Sequence, residues 1–68
     1  MTQITKDMLI GDILDENHDL ARFFMAMGMH CLGCPSARGE SVEQACYVHG
    51  VDPDEFVCEI NKYIANNQ

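Results

Sequence analysis

The sequence predicts an all-α fold, a compact bundle of four short helices in a single domain spanning residues 1–68. Three observations carry that reading. Apolar residues recur at spacings of three and four along most of the chain, residues that start and stop helices bracket each run, and only Gln3-Ile4-Thr5 reads as extended, as a short edge segment or a tie to a second subunit.

The elements follow in order. Ile10, Ile13 and Leu14 form one apolar stripe, which places a first helix at about Leu9 to Glu16. Asn17-His18-Asp19 interrupts the pattern, and Asp19 or a neighbour can cap the next start. Leu20, Phe23, Phe24 and Met27 mark a second helix, with Gly28 as its left-handed stop. Ser41-Val42-Glu43-Gln44 has the form of a capping box. It opens a third helix whose Val42, Ala45, Cys46 and His49 share a face and whose end is Gly50. Asp52-Pro53-Asp54-Glu55 opens the fourth, with Asp52 as cap, Pro53 at the first helical position and acids in the first turn. Phe56, Ile60, Tyr63 and Ile64 supply its apolar face, and Asn66-Asn67-Gln68 should fray.

Composition narrows the class of function. A chain of 68 residues lies near the size at which one core leaves only a few kcal/mol of net stability. Dimerisation through exposed apolar residues such as Phe24 or Val57 would add to it. With 47% hydrophobic and 22% charged residues the chain is globular, not disordered. A net charge of -7 with four Lys+Arg argues against nucleic acid and against anionic membrane surfaces. Neither a signal peptide nor a membrane span is visible, so the expected location is cytoplasmic. There, four cysteines point to redox chemistry, metal binding or burial, not to permanent staples.

The chemistry concentrates in the connection between the second and third helices, Gly28 to Glu40. Cys31-Leu32-Gly33-Cys34 is a Cys-x-x-Cys pair, preceded by Gly28-Met29-His30 and followed by Pro35. Two thiols at that spacing can close into a small disulfide or share a metal ion. As a staple so short a loop is worth only ~2 kcal/mol, against ~3 for a loop of 15 residues. Pro35-Ser36-Ala37-Arg38 reads as a brief helical turn closed by Gly39, with Cys34 at its N-cap, where the positive dipole end favours the thiolate. Gly33 is expected to let the chain turn sharply enough for the sulfurs to meet, and His30 to serve as an electrostatic or acid–base aid.

The rival use of the same pair is metal. A tetrahedral zinc or an iron–sulfur cluster wants four ligands, and the pair supplies two. His30 is awkwardly adjacent to Cys31 as a third, and Cys46 and Cys58 complete the count without a second Cys-x-x-Cys spacing. Cys46 falls on an apolar stripe and reads as core; Cys58 falls opposite Phe56 and Ile60 and reads as exposed. His49 sits at a helix C-terminus and His18 in a polar turn. Met8, Met25, Met27 and Met29 read as adaptable core filling. The acids are scattered on polar faces, and no carboxylate pair suggests acid–base catalysis.

These residues carry a resemblance. Ile4-Thr5-Lys6-Asp7-Met8, Ile10-Gly11-Asp12-Ile13-Leu14, Gly28-Met29-His30-Cys31-x-x-Cys34 and Glu43-x-Ala45-x-x-x-His49-Gly50 resemble the hybrid-cluster-protein-associated redox disulfide domain. This is a small helical family long catalogued as a domain of unknown function. The similarity runs over about residues 3 to 64, and Gly-Met-His-Cys-x-x-Cys is its most specific part. Leu9 departs from it, standing where a capping Thr or Ser is expected, and Cys58 lies outside the motif. The resemblance implies an all-helical domain with a redox-active disulfide at Cys31 and Cys34, associated with anaerobic iron–sulfur, hybrid-cluster or nitrogen-oxide metabolism.

Two functions from different classes follow. The first is a thiol–disulfide redox protein, an oxidoreductase or a redox sensor, in which Cys34 is the thiolate, Cys31 resolves and His30 assists. It needs no cofactor, and its partner is a redox protein such as a hybrid-cluster or other iron–sulfur enzyme. The second is an interaction module in which the same cysteines hold zinc or iron, at a site within one chain or shared across a homodimer.

Overall fold

A computed structural model describes residues 3–30 and 32–67. Five α-helices follow one another: α1 (Ile10–Glu16), α2 (Ala21–Met27), α3 (Pro35–Arg38), α4 (Val42–His49) and α5 (Pro53–Asn66), with a 3-10 turn at His18–Leu20. The four longer helices are those expected, and α3 is the brief turn anticipated after Pro35. Among the described residues there is no strand, and no helix is long and apolar enough to cross a membrane.

Local chemistry sets each boundary. The Ser41 hydroxyl accepts from the Gln44 amide and the Gln44 side chain accepts from the Ser41 amide, so both halves of the capping box form. Asp52 accepts from Asp54 and Glu55, ahead of Pro53. Asn17, and not Asp19, caps the 3-10 turn, its Oδ1 accepting from the Asp19 amide at 3.2 Å. Gly28 (φ 119°) and Gly50 (φ 70°) close α2 and α4 in the left-handed region. The C-terminus frays later than expected: α5 reaches Asn66, and the Asn67 side chain donates to the Tyr63 carbonyl at 2.8 Å.

Leu9 lacks a capping side chain, yet α1 starts there. The Ile10 amide donates to the Glu40 carbonyl (3.0 Å), and the Val42 and Glu43 amides donate to the carbonyls of Met8 and Lys6 (both 3.0 Å). An isolated antiparallel bridge between Leu9 and Ser41 lies at the centre of this exchange. Backbone from each segment thereby satisfies donors that the first turn of the other helix leaves open.

The core gathers Ile4, Ile10, Ile13, Leu14, Leu20, Phe24, Val42, Ala45, Cys46, Phe56, Ile60 and Ile64, joined by Met29. Phe24 and Phe56 pack with their rings tilted by 59° and centroids 5.3 Å apart across the α2–α5 contact. At the surface side of the same contact Phe23 meets Tyr63 edge-on at 5.3 Å, and Arg22 lies 5.1 Å over the Tyr63 ring.

Four expectations need correction. Phe24 is not an exposed candidate for dimerisation: its side chain is fully buried at the α2–α5 contact, and Val57 is half-buried against the core. His49 lies on the same side of α4 as Val42, Ala45 and Cys46 but is exposed, because it is the last residue of the helix and meets the turn at Gly28 instead of the core. Met25 is exposed on α2 rather than filling the core, although Met29 is buried. Finally, Ile4 is not a tie to a second subunit. Its amide donates to Asn61 Oδ1 at 2.8 Å and its carbonyl accepts from Asn61 Nδ2 at 3.1 Å, so the segment is held by α5 of its own chain.

That pairing sets a test. Asn61→Ala leaves both backbone groups of Ile4 without partners in a part-buried position, at a cost of about 1–3 kcal/mol in unfolding free energy. Urea denaturation should show that loss, and hydrogen exchange at the Ile4 amide should accelerate with it.

Candidate functional site: the loop between α2 and α4

The loop begins where Gly28 reverses the chain. The Gly28 amide donates to the Met25 carbonyl and the Met29 amide to the Phe24 carbonyl, both at 3.1 Å, closing the last turn of α2. A side chain at Gly28 would be strained by the positive φ and would meet the ring of His49, whose Nδ1 lies 3.2 Å from the Cβ position.

From there buried and exposed residues alternate. Met29 is buried and anchors the loop in the core, His30 is exposed, Leu32 packs half-buried against the core, and Gly33 and Cys34 are exposed. Met29 and Leu32 thus hold the backbone while the polar and reactive groups face solvent. Cys31 lies outside the described residues, and so does any geometry of the Cys31–Cys34 pair. Gly33 does not use a left-handed conformation, since Gly28 and Gly50 are the described glycines at positive φ. Among the described residues, a Cβ there would meet nothing within 4 Å.

Cys34 occupies the N-cap of α3 as expected, with Pro35 at the first helical position. What fixes α3 is a clamp that sequence reasoning passed over. Arg38 Nη2 donates to the Gly11 carbonyl at 3.1 Å and pairs with Asp15, so the last residue of α3 is bolted to α1. Gly11 permits this contact because a Cβ there would lie 3.0 Å from Arg38 Cβ and 3.1 Å from its carbonyl oxygen. Asp15, read as one of many surface acids, is half of that bolt. The available signal was the glycine inside the first helical stripe, a position that is costly unless something packs against it.

Of the remaining histidines, His49 lies beside Gly28 at the root of the loop. Cys46 is fully buried, and burial, with the Asp52 carboxylate adding to it, pushes its thiol pKa up. Cys58 is exposed on α5. Among the described residues no three His, Cys, Asp or Glu side chains are placed to share a metal ion.

The fold and the loop define a small all-helical domain in which His30 and Cys34 are both exposed, between helices tied together by backbone exchange and an Arg clamp. A family model described as Domain of unknown function (DUF1858) matches residues 4–57, and the chain belongs to that family. Among solved structures it is similar to the NMR solution structure of a Clostridium thermocellum protein, with 52% identity and a TM-score of 0.79. That match covers 96% of this chain and 93% of the other. Comparison with curated proteins returns no match.

Two outcomes are expected from this geometry. Gly11→Ala crowds Arg38, whose Cβ and carbonyl oxygen would lie 3.0 and 3.1 Å from the added methyl, and Arg38→Ala removes the clamp outright. Either should raise amide exchange across α3 well before it affects α4 and α5. The second concerns Cys46. The folded chain holds the Cys46 proton more tightly than the unfolded chain, so its contribution is complete below the ordinary thiol value near 8.5 and is lost as pH rises above it. Urea unfolding of the reduced protein should weaken by up to about 1.4 kcal/mol per pH unit in that range, and Cys46→Ala should lack this part of the fall.

Proposed function

We propose that the domain is a thiol–disulfide redox protein that acts through Cys31 and Cys34. The observation that supports it best is the placement of Cys34: exposed, at the N-cap of a short helix that is clamped in place, beside a glycine turn. The Cys-x-x-Cys spacing and the resemblance of Gly28-Met29-His30-Cys31-x-x-Cys34 to the redox disulfide domain point the same way.

In the reducing direction the Cys34 thiolate attacks one sulfur of a partner disulfide. The partner S–S bond breaks, its second sulfur leaves as a thiolate and takes a proton from water, and a mixed disulfide joins the two proteins. Cys31, as thiolate, then attacks the Cys34 sulfur of that mixed disulfide. The intermolecular S–S bond breaks, the partner's first sulfur leaves as a thiolate and takes a proton from water, the Cys31–Cys34 disulfide forms, and the partner has received two electrons in all. His30, exposed and one residue before Cys31, is assigned an electrostatic role. The setting we assign is the cytoplasm, where thiols rest reduced, and the partner class is a redox enzyme of hybrid-cluster or other iron–sulfur type, on the strength of the family resemblance.

An anaerobic redox titration tests this, with alkylation and mass spectrometry reading Cys31 and Cys34 and bound metal quantified on the same sample. The expected result is a reversible two-electron couple between about -300 and -150 mV without stoichiometric metal. Cys31→Ser and Cys34→Ser should each abolish disulfide exchange while the helical circular dichroism is kept. Thiols that stay reduced across that range, with zinc or iron co-purifying, would overturn the redox reading in favour of a metal-binding module.

A further inference from the structure

We infer that the groove between α2 and α5 is the docking site for a segment of a partner protein that presents large apolar side chains flanked by Lys or Arg. The inference deepens the redox reading by giving the partner a chemistry, and it depends on that reading only for what the docked segment is brought to do.

The groove encloses about 410 Å³, within the range of roughly 300–1,000 Å³ usual for binding clefts. Phe23 and Met27 of α2, Val51 before α5 and Phe56 within it form an apolar lining, while Glu55 and Glu59 stand at the same opening. Phe23, Met27 and Val51 are each half-buried, so the lining remains in contact with water. Covering it with apolar side chains removes that contact at a gain of roughly 25 cal/mol per Å².

Charge selects the flanking residues. The chain has four Lys and Arg, and all are engaged: Lys6 with Asp54 and Glu43, Arg38 with Asp15, Lys62 with Glu59, and Arg22 over the Tyr63 ring. Glu55 makes no ion pair among the described residues. Glu59 has only the exposed Lys62 beside it among those residues, at 3.8 Å. Closing the groove with a neutral or acidic surface would bring Glu55 toward low dielectric with no cation to meet it, whereas Lys or Arg on the incoming segment supplies one. A second copy of this chain is the wrong partner on the same ground, since it carries a net charge of -7 with its cations engaged.

Position links the groove to the loop. Met27 is the last residue of α2, Gly28 follows, and Cys31 is three residues further on. A segment seated against Met27 therefore lies at the root of the loop that carries the cysteines.

Two sulfur-free amphipathic peptides test the inference on the full chain. Both place Leu at positions i, i+3, i+4 and i+7; one has Lys on the other face and the second has Glu. NMR titration should show the Lys peptide perturbing Phe23, Met27, Val51 and Phe56 and binding at least tenfold more tightly than its Glu twin. Glu55→Gln with Glu59→Gln should weaken it, and Glu55→Lys with Glu59→Lys should weaken it at least tenfold, both variants melting cooperatively by circular dichroism. Equal binding of the twins would overturn the inference. So would undiminished binding when Ser replaces every Leu, perturbations gathered at the exposed Tyr47 and Val48 of α4, or a concentration-dependent dimer that covers Phe23 and Met27. Because the peptides carry no sulfur, a chain that binds them but exchanges no disulfide loses the redox reading and keeps the groove. The reverse result does the opposite.

Discussion

The arrangement depends on a backbone exchange between two short segments, residues 6–10 and 40–43. A helix begins with amides that have no partner within the helix, and each buried one left open is costly. Here the Ile10 amide is met by Glu40, and those of Val42 and Glu43 are met by Met8 and Lys6. Two helix starts 32 positions apart in the chain are therefore solved by one contact, and neither is complete without the other. Everything between them, the 3-10 turn, α2, the cysteine loop and α3, is an excursion that leaves this junction and returns to it. The loop can be rich in glycine and exposed because its ends are fixed elsewhere.

Within that excursion the load is divided by residue type. Met29 and Leu32 sink toward the core and leave His30, Gly33 and Cys34 outside. Arg38 holds the far side by reaching α1 across Gly11. The reactive face is thus supported by apolar anchors from beneath and by a charge-assisted hydrogen bond at its end, a division that keeps rigid groups off the surface a partner must reach.

Much of this was legible in the sequence, for reasons that differ from element to element. The third and fourth helical starts carried self-contained signals, a capping box at Ser41–Gln44 and an Asp-Pro pair at Asp52-Pro53, and both operate as written. Gly28 was legible because only a left-handed residue ends α2 there. Helix α1 was harder: Leu9 caps nothing, and its true partner, Glu40, is remote in sequence. Phe24 and Phe23 are adjacent and equally apolar, so periodicity alone could not say that Phe24 enters the core while Phe23 stays at the groove. The Arg38–Gly11–Asp15 clamp and the Ile4–Asn61 pair are tertiary contacts made by polar side chains to remote backbone, and apart from the glycine inside the first helical stripe no local pattern announces them. At the site, the residue types and their spacing were readable; the burial pattern that supports them was not.

The pairing of Ile4 with Asn61 has a further consequence, for degradation. Asn61 reaches across 57 positions of chain to meet both backbone groups of Ile4, and the fully buried Ile60 lies beside it. A protease needs its target backbone opened locally, and opening the segment around Ile4 also strips Asn61, on α5, of its partners. The two regions should therefore become cleavable together and not one before the other.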